Sequence, residues 1–439
     1  MSKRAVLKRN DSIVFREEDD VGLLFDPDTG KVDVLNDTGR FIWQQLDGRK
    51  NRDEIAQDLM QNFHITDPKV AVKDVEAFLT ALHRKGFIEG HREALPLPGS
   101  VCFGITSKCN LSCKHCLNRN AKGSDPDMTT DELLGLIDQM ADGGVGRVNL
   151  FGGEPICHPD FKRIVEYLIE RKLKASLNTN ATLIDREMAC WLSAHGIKST
   201  CVSLDGSCPS VMDRIRGQGA FEKTLKGIEA LRSENIQVLL SVTLNKLNHQ
   251  DIREMILLGK KIDGGSIRFN HVFFGGNADC FSKELYLFPQ EEKNAIEVVY
   301  QAKTEFGEFI NPSSSYLCQR DKLGRVDSFK PSKDKITVSP CGAGIDKCAI
   351  RPDGWITPCE VIWDVKCGNL REASMADIWQ NSEVLNSFRR PLVLDLDEIP
   401  ECKDCRYQYM CFIGHRCYPY HYPGGVKNKD LYCWLRKEA

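Results

Sequence analysis

Between residues 101 and 310 the chain alternates short apolar runs with longer stretches whose apolar residues recur at helical spacing. Such short runs predict buried strands, and the longer stretches predict amphipathic helices. The predicted strands cover 101–106, 147–151, 174–178, 199–204, 237–243 and 266–271, and the predicted helices lie near 129–142, 160–171, 185–195, 221–234, 249–260 and 290–306. Serial β-α units require parallel strands joined by right-handed crossovers. The pattern therefore predicts an α/β fold, a partial (β/α)6 TIM barrel.

The first ninety residues have a different pattern. Short extended stretches at 12–15, 22–26 and 31–35 are separated by turn-forming residues and predict a small antiparallel sheet. Helices are predicted over 39–46, 51–63 and 67–86, each begun by capping residues or a proline. We therefore expect a winged-helix-like α+β domain over 1–90, and a polar, then proline-rich linker over 91–100.

Composition limits the possible partners. The chain has 439 residues, which is enough for two or three domains. Its formal charge of −3 gives no general attraction to nucleic acid or anionic membranes. No apolar run approaches the about 20 residues of a membrane span, and the N-terminus leads into no signal-peptide core. We expect a cytoplasmic protein with neither nucleic acid nor a membrane as partner.

The 19 cysteines indicate metal binding, because the cytosol keeps thiols reduced and disfavours disulfide frameworks. Cys109, Cys113 and Cys116 form a Cys-x3-Cys-x2-Cys run. Three thiolates on one short loop leave one iron of a four-iron cluster open to an outside molecule, whereas structural zinc requires four closed ligands. Six isolated cysteines are interpreted as packing residues: Cys102, Cys157, Cys190, Cys201, Cys208 and Cys280.

Polar turns follow the next predicted strands. In barrels of this type, reacting groups lie on loops at the C-terminal ends of the strands, and the cysteine run follows the first strand. The candidate residues after the later strands are Gly152, Gly153, Glu154, Asn180, Ser203, Asp205, Arg216 and Thr243.

The cysteine run and these ordered turns resemble the signature of the radical S-adenosylmethionine (SAM) enzymes. The resemblance implies that SAM binds the open iron, with its amino group held by the turn from Gly152 to Glu154. It also implies contacts from Asn180, Ser203 and Asp205 to the SAM carboxylate and ribose. By the same resemblance Arg216 pairs with the carboxylate, Thr243 contacts ribose, and His115 offers its backbone or ring to adenine.

The N-terminal segment from Leu35 to Gly48, together with Glu54–Ala56 and Lys85–Ile88, resembles the pyrroloquinoline-quinone-chaperone family, the recognition element of ribosomally made, modified peptides. The resemblance implies that a precursor's leader peptide adds as a strand at residues 31–35, with the helix around 75–82 as the groove wall. The alternative is a winged-helix-like module that only packs against the rest of the chain. A DNA-binding role is disfavoured because no helix here has a clustered basic face.

The cysteine-rich C-terminus, residues 311–439, resembles the SPASM extension, which carries two auxiliary four-iron clusters. The resemblance implies Cys341, Cys348, Cys359 and Cys417 as ligands of the first. It implies Cys402, Cys405, Cys411 and Cys433 as ligands of the second. Cys417 departs from the family spacing, so Cys318 and Cys367 remain substitutes, and a zinc ribbon remains the alternative. Together with the barrel at 101–310, this predicts three [4Fe-4S] clusters and SAM.

These resemblances imply a radical SAM enzyme that makes an oxidative intramolecular crosslink in a precursor peptide, either a thioether or a carbon–carbon bond. Glu360 matches the position of a candidate catalytic base, and an electron donor such as ferredoxin or flavodoxin is expected. Two alternatives remain: formylglycine formation of the anaerobic sulfatase-maturase type, and a non-catalytic peptide-binding or electron-transfer scaffold.

Overall fold

The computed structural model describes residues 6–10, 13–18, 21–25, 32–63, 65–85, 87–88, 97–119, 125–273, 275–311, 335–338, 342–389 and 392–395. The chain divides into two compact units, one formed mainly by the residues before Leu97 and the other mainly by the residues from Leu97 onward.

The N-terminal unit contains a three-stranded antiparallel sheet and three helices. Its elements, in chain order, are β1 (Val6–Lys8), β2 (Val14–Glu18), β3 (Val21–Phe25), β4 (Val32–Leu35), α1 (Asp37–Gln44), β5 (Asp47–Asn51), α2 (Arg52–Phe63) and α3 (Pro68–Lys85). The sheet has the order β2-β3-β4, so β4 is an edge strand. The three predicted strands and three predicted helices are confirmed within a few residues.

One pairing in this unit is absent from the sequence prediction. Strand β1 pairs antiparallel with β5. The β5 sequence, Asp-Gly-Arg-Lys-Asn, is polar throughout and gives no strand signal. Helical spacing in α1, α2 and α3 brings Trp43, Ile55 and Val75 into one buried core.

The second unit contains the predicted barrel. The elements from Ser100 onward, in chain order, are β6 (Ser100–Thr106), α4 (Thr130–Asp142), β7 (Arg147–Gly152), α5 (Phe161–Glu170), β8 (Lys174–Thr179), α6 (Arg186–Ala194), β9 (Ser199–Ser203), α7 (Pro209–Arg216), α8 (Ala220–Ser233), β10 (Gln237–Leu244), α9 (Ile252–Lys261), β11 (Ser266–His271), α10 (Asn277–Cys280), α11 (Ser282–Leu285), α12 (Pro289–Phe306), β12 (Lys335–Val338), β13 (Lys347–Ile350), β14 (Trp355–Thr357), β15 (Gly368–Asn369), α13 (Met375–Asn381), α14 (Glu383–Arg389) and β16 (Leu392–Asp395). Parts of β12, α14 and β16 belong to the first unit. Strands β12 and β16 form a separate two-stranded sheet.

The six predicted barrel strands form one parallel sheet in the order β11-β10-β9-β8-β7-β6, which confirms the partial (β/α)6 barrel. The sheet continues beyond the prediction, because β13 pairs parallel with β6 and leads into the antiparallel strands β14 and β15. Ala349 is the register partner of Cys102. The cysteine-rich segment therefore begins as an extension of the barrel sheet.

The barrel strands have two different faces. In β10, Val238, Leu240 and Val242 are buried, whereas Leu239 and Ser241 between them are partly exposed. A Cβ placed on Gly259 of α9 would lie 2.8 Å from Leu240, so the Leu240 face packs on the helices. The alternate residues consequently line the inner face of the sheet. None of the helices that the structure describes has the length and apolar character needed to cross a membrane.

Candidate active site

The cysteine loop follows β6 at the C-terminal end of the strand, as predicted. Asn277 donates from its side chain to the carbonyl oxygen of Cys113 (3.0 Å) and from its main chain to that of Cys116 (2.9 Å). The main-chain N–H of Lys114 donates to the carbonyl of Ile215 (2.9 Å). Segments after β9 and after β11 therefore fix the loop from two sides.

The three thiols form a donor set suited to iron. Cys113 is buried, and Cys109 and Cys116 are partly exposed. Burial is the main cause that raises the pKa of Cys109 and raises that of Cys113 to about 11; negative charge on neighbouring sulfurs acts in the same direction, and Arg216 opposes it at Cys113. Several thiolates crowded on one loop need a cation to neutralise them, and soft sulfur donors fit an iron–sulfur cluster. Within the described chain, no three potential ligand side chains already stand at the distances of an assembled metal site.

The glycines after β7 bring two strands into direct backbone contact. The main-chain N–H of Gly153 donates to Thr106 (2.7 Å), and that of Glu154 donates to Lys108 (2.8 Å). A Cβ on Gly152, whose φ is 136°, would lie 2.3 Å from the Thr106 oxygen, and one on Gly153 would lie 2.2 Å from the Lys108 oxygen. From the sequence we expected this turn to hold the SAM amino group. The structure shows that the absence of side chains at Gly152 and Gly153 lets the backbone that leads to the cysteine loop approach closely.

Glu154 is a buried carboxylate held by the end of β8. Its oxygens accept hydrogen bonds from the Thr179 hydroxyl and from the main-chain N–H of Asn180, both at 2.8 Å. Burial raises its pKa to about 7, although these hydrogen bonds favour the charged form. A carboxylate retains further acceptor positions beyond these two bonds, so it can also receive an ammonium group.

Asn180 connects this carboxylate to the cysteine loop. Its side-chain amide donates to the side-chain oxygen of Asn110 (3.0 Å) and lies 4.0 Å from the Cys109 sulfur. The site therefore contains a connected set of contacts from Glu154 through Asn180 to Cys109, as the order of the turns predicts.

Asp205 makes a second set of contacts in the site, and the sequence did not indicate these contacts. It is fully buried, and its Oδ2 lies 2.6 Å from Arg216 Nε and 3.4 Å from His115 Nε2. Its Oδ1 accepts the main-chain N–H of Thr243 at 2.7 Å. Asp205 therefore contacts three protein groups, and Arg216 is already paired with it.

The position of Arg216 depends on α7, a short helix missing from the sequence prediction. Arg216 is the last residue of α7, and its Nη1 lies 3.7 Å from the Cys113 sulfur. His115, between the same groups, has its pKa lowered to about 4 by burial, so its ring is neutral. Its Nδ1 is buried without a hydrogen-bond partner in the described chain. An orphaned ring nitrogen beside the cysteines fits a bound base or amide group.

Ser203 and Thr243 lie on the inner face near the ends of β9 and β10, and both are partly exposed. The side chains of both remain candidates for cofactor contact.

The predicted auxiliary ligands are only partly described. Cys348 and Cys359 are buried, and burial raises the pKa of Cys359 to about 12. The other predicted ligands and one substitute lie outside the described residues: Cys341, Cys402, Cys405, Cys411, Cys417, Cys433 and Cys318. Cys367 is buried, with its thiol 3.7 Å from the carbonyl of Val365.

Glu360 lies in the same region as Cys359. One of its oxygens stands 3.8 Å from the Lys347 ammonium, and the other is buried without a hydrogen-bond partner in the described chain. Among the cysteines interpreted as packing residues, Cys190 and Cys280 are exposed, so that interpretation is wrong for these two.

Three family models match this chain. The Radical SAM superfamily model matches residues 104–259, the model of coenzyme PQQ synthesis protein D (PqqD) matches 22–88, and the iron-sulfur cluster-binding domain SPASM matches 341–406. The N-terminal, barrel and cysteine-rich segments thus each match a separate family.

Two curated relatives and a solved structure extend these matches. The AdoMet-dependent heme synthase of Methanosarcina barkeri (strain Fusaro / DSM 804) is 30% identical over 353 residues, which cover 77% of this chain and 97% of the relative. The mycofactocin maturase MftC of Mycobacterium tuberculosis (strain CDC 1551 / Oshkosh) is 27% identical over 308 residues, 69% of this chain and 76% of the relative. Streptococcus suis SuiB bound to S-adenosylmethionine has the same fold, with a TM-score of 0.61, 15% identity, and coverage of 98% of this chain and all of SuiB.

Proposed function

Because this chain belongs to the radical SAM superfamily, we propose that it modifies a ribosomally made precursor peptide. SAM and four-iron clusters are the cofactors of such an enzyme, and we take the number of clusters to be three. A bound, reduced four-iron cluster would supply the electron that converts SAM into a carbon radical. The task of the chain is to hold these groups, exclude water and place the substrate.

The observation that carries this proposal is the position of β4 at the edge of the described three-stranded sheet of the PqqD-like domain, on a chain that also has a radical SAM domain. Strand β4 pairs on one side with β3, and Val34 in β4 is 61% exposed. An exposed edge offers unpaired main-chain donors and acceptors to an added strand. A Cβ on Gly39 would lie 3.3 Å from the Phe78 ring and 3.4 Å from the Leu35 side chain, so α3 reaches the end of β4.

Only some apolar side chains of α3, the helix we take as the groove wall, are available to a ligand. Val75, Leu79 and Leu82 are buried in the core of the N-terminal unit and are unavailable to a ligand. The partly buried Val72 and Phe78 are the apolar side chains that α3 can offer beside the edge. We therefore assign leader contact to β4 and to Phe78.

The chemistry we propose is an oxidative intramolecular crosslink, a thioether or a carbon–carbon bond, which removes two hydrogen atoms from the peptide. One would be taken by the radical derived from SAM, and the other would leave as a proton and an electron, with an auxiliary four-iron cluster as the electron acceptor. Glu360 is our candidate for accepting the proton, because one of its oxygens is buried and unsatisfied within the described chain. Its other oxygen stands 3.8 Å from the Lys347 ammonium. A ferredoxin or flavodoxin would supply the electron for SAM cleavage.

A second candidate substrate is a porphyrin, since the 30% identical relative is named a heme synthase. That relative is covered over 97% of its length but aligns with 77% of this chain, so part of this chain has no counterpart in it. The PqqD match at residues 22–88 favours a peptide substrate over a porphyrin.

The experiment is anaerobic reaction of the reconstituted enzyme with SAM, dithionite and the peptide encoded by a short reading frame beside the gene, followed by mass spectrometry. Loss of two hydrogens, localised by fragmentation to two linked residues, supports the crosslink. An aldehyde that is trapped by a hydrazide would indicate formylglycine instead. Turnover of iron coproporphyrin with an unchanged peptide would favour the porphyrin reaction, and clusters without any SAM cleavage would indicate a scaffold.

A further inference from the structure

The inner face of the barrel is polar and carries a partly buried cation, Arg268, that has no ion pair among the described residues. Arg147 and Lys174 occupy inward positions at the opposite, N-terminal ends of β7 and β8, where both are exposed. The partly exposed inward positions of β7 to β11 include Asn149, Ser176, Cys201, Ser241 and Asn270. These side chains form cross-strand hydrogen bonds such as Asn270 to Ser241 (3.0 Å). They are neutral, so the inner face has no acidic group of its own on these strands.

Arg268 in β11 is partly buried on this face, unlike the exposed Arg147 and Lys174. It is the register partner of Ser241, which is the register partner of Ser203 in β9. Its neighbours Ile267 and Phe269 are fully buried on the helix side, so Arg268 belongs to the inner row with the two serines.

The guanidinium of Arg268 is incompletely satisfied. Its Nη2 donates to the Cys201 sulfur at 3.6 Å, and its Nε is buried without a hydrogen-bond partner in the described chain. Among the described residues it makes no ion pair. Arg216 differs, because Asp205 already neutralises it at 2.6 Å. The Arg268 side chain as a whole is partly exposed, but its buried Nε lacks an acceptor, and a carboxylate matches the guanidinium fork.

The depth of Arg268 indicates which molecule supplies that acceptor. Asn270, the next inward residue of β11, is level with Thr243, our candidate for cofactor contact at the mouth of the barrel. Arg268 therefore lies about 7 Å deeper along the strand, inside the barrel below that level. The described residues level with it on β10 and β9 are serines and not cations, which disfavours a phosphate and favours a single carboxylate.

We propose that Arg268 binds a carboxylate of the peptide substrate, either an acidic side chain or the terminal carboxylate, and so determines which residue is presented for modification. Ser241, level with it in β10, adds a neutral hydroxyl, whereas Ser203 in β9 stays a candidate for cofactor contact. This proposal rests on the proposed function only in taking a peptide as the molecule that carries the carboxylate. The anion site itself does not depend on the proposed function.

The test uses Cys201, which contacts Arg268, as a reporter thiol. The cluster-loaded, oxidised enzyme is alkylated anaerobically with iodoacetate or with neutral iodoacetamide, and modification of Cys201 is quantified by mass spectrometry relative to the exposed Cys190. We expect the iodoacetate-to-iodoacetamide ratio at Cys201 to exceed that at Cys190 roughly tenfold, as a charge-assisted hydrogen bond implies. Arg268→Gln should abolish this preference, and Arg268→Lys should retain most of it.

An equal ratio at Cys201 and Cys190 in the wild-type enzyme, or no reaction of Cys201 with either reagent, would overturn the proposal. Repeating the reaction with saturating SAM tests the assignment to substrate, since loss of the preference would assign Arg268 to the cofactor instead. The labelling needs no peptide, so failure of the anion site and failure of the peptide reaction remain distinguishable.

Discussion

The buried carboxylate of Asp205 stands 2.6 Å from the guanidinium of Arg216, at the point where two strand ends meet the cysteine loop. Arg216 in turn lies 3.7 Å from the Cys113 sulfur, and Asp205 also accepts the main-chain N–H of Thr243. One ion pair therefore links β9, β10 and α7 to the loop that we assign to the cluster. The geometry of the site depends on that link.

Asp205→Asn should destabilise the chain strongly, because it leaves the buried Arg216 without its counter-charge. Removing one partner of a buried ion pair costs about 3–5 kcal/mol, and we expect the free energy of unfolding to fall by that amount. Chemical denaturation of the cluster-free chain measures it. Glu305→Gln is the matched control, since its partner Arg253 is exposed and the pair contributes little. Equal losses in the two variants would contradict the account.

Glu154 predicts a pH dependence of stability with a defined sign. Burial raises its pKa from the usual 4.5 to about 7, so between these values the folded chain holds a proton that the unfolded chain has released. The contribution of the protonated Glu154 carboxyl to the free energy of unfolding is fully present below pH 4.5 and is lost as pH rises through about 7. Relative to the wild-type chain, Glu154→Gln should therefore gain stability over this range in cluster-free denaturation experiments. A difference that is constant with pH would exclude the raised pKa.

Gly153→Ala should impair assembly of the cysteine loop. The added methyl group would lie 2.2 Å from the carbonyl oxygen of Lys108, and this backbone leads directly into the cysteines. We expect lower iron content after anaerobic reconstitution. Gly135→Ala in α4 is the control, because open space surrounds its Cβ position and alanine favours helix. Full iron loading of the Gly153→Ala protein would show that the close contact can relax.

Val34→Pro should weaken leader binding by removing a main-chain donor from the edge of β4. Val14→Pro makes the same replacement at an exposed valine on β2, the opposite edge of the same sheet. Titration of a fluorescent leader peptide should show weaker affinity for the first variant and near wild-type affinity for the second, while SAM cleavage without peptide stays unchanged in both. Equal affinities across all three proteins would refute docking at β4.

The barrel could be predicted from sequence because its strands and helices have distinct periodicities. The predicted strand 266–271 coincides with β11, and Glu154 and Asn180 approach Cys109 as the order of the turns requires. Both results follow from the rule that parallel strands bring their C-terminal ends to one edge.

Three features could not be predicted for physical reasons. The pairing of β13 with β6 joins segments about 250 residues apart, and local pattern contains no information about such a partner. The buried contacts of Asp205 depend on α7, a short helix with a proline at its start, which gives little periodic signal. The lack of a hydrogen-bond partner for Arg268 Nε among the described residues depends on which side chains lie level with it on neighbouring strands. This arrangement is visible only in three dimensions.

The central claim is that the loop containing Cys113 holds a four-iron cluster that cleaves SAM reductively. The most direct measurement is deoxyadenosine formation by the anaerobically reconstituted protein with SAM and dithionite, compared with that of Cys113→Ala, with iron and Mössbauer analysis of both. We expect deoxyadenosine from the wild-type protein, none from Cys113→Ala, and about four fewer iron atoms in the variant. Zinc in place of iron, or equal deoxyadenosine from both proteins, would contradict the claim.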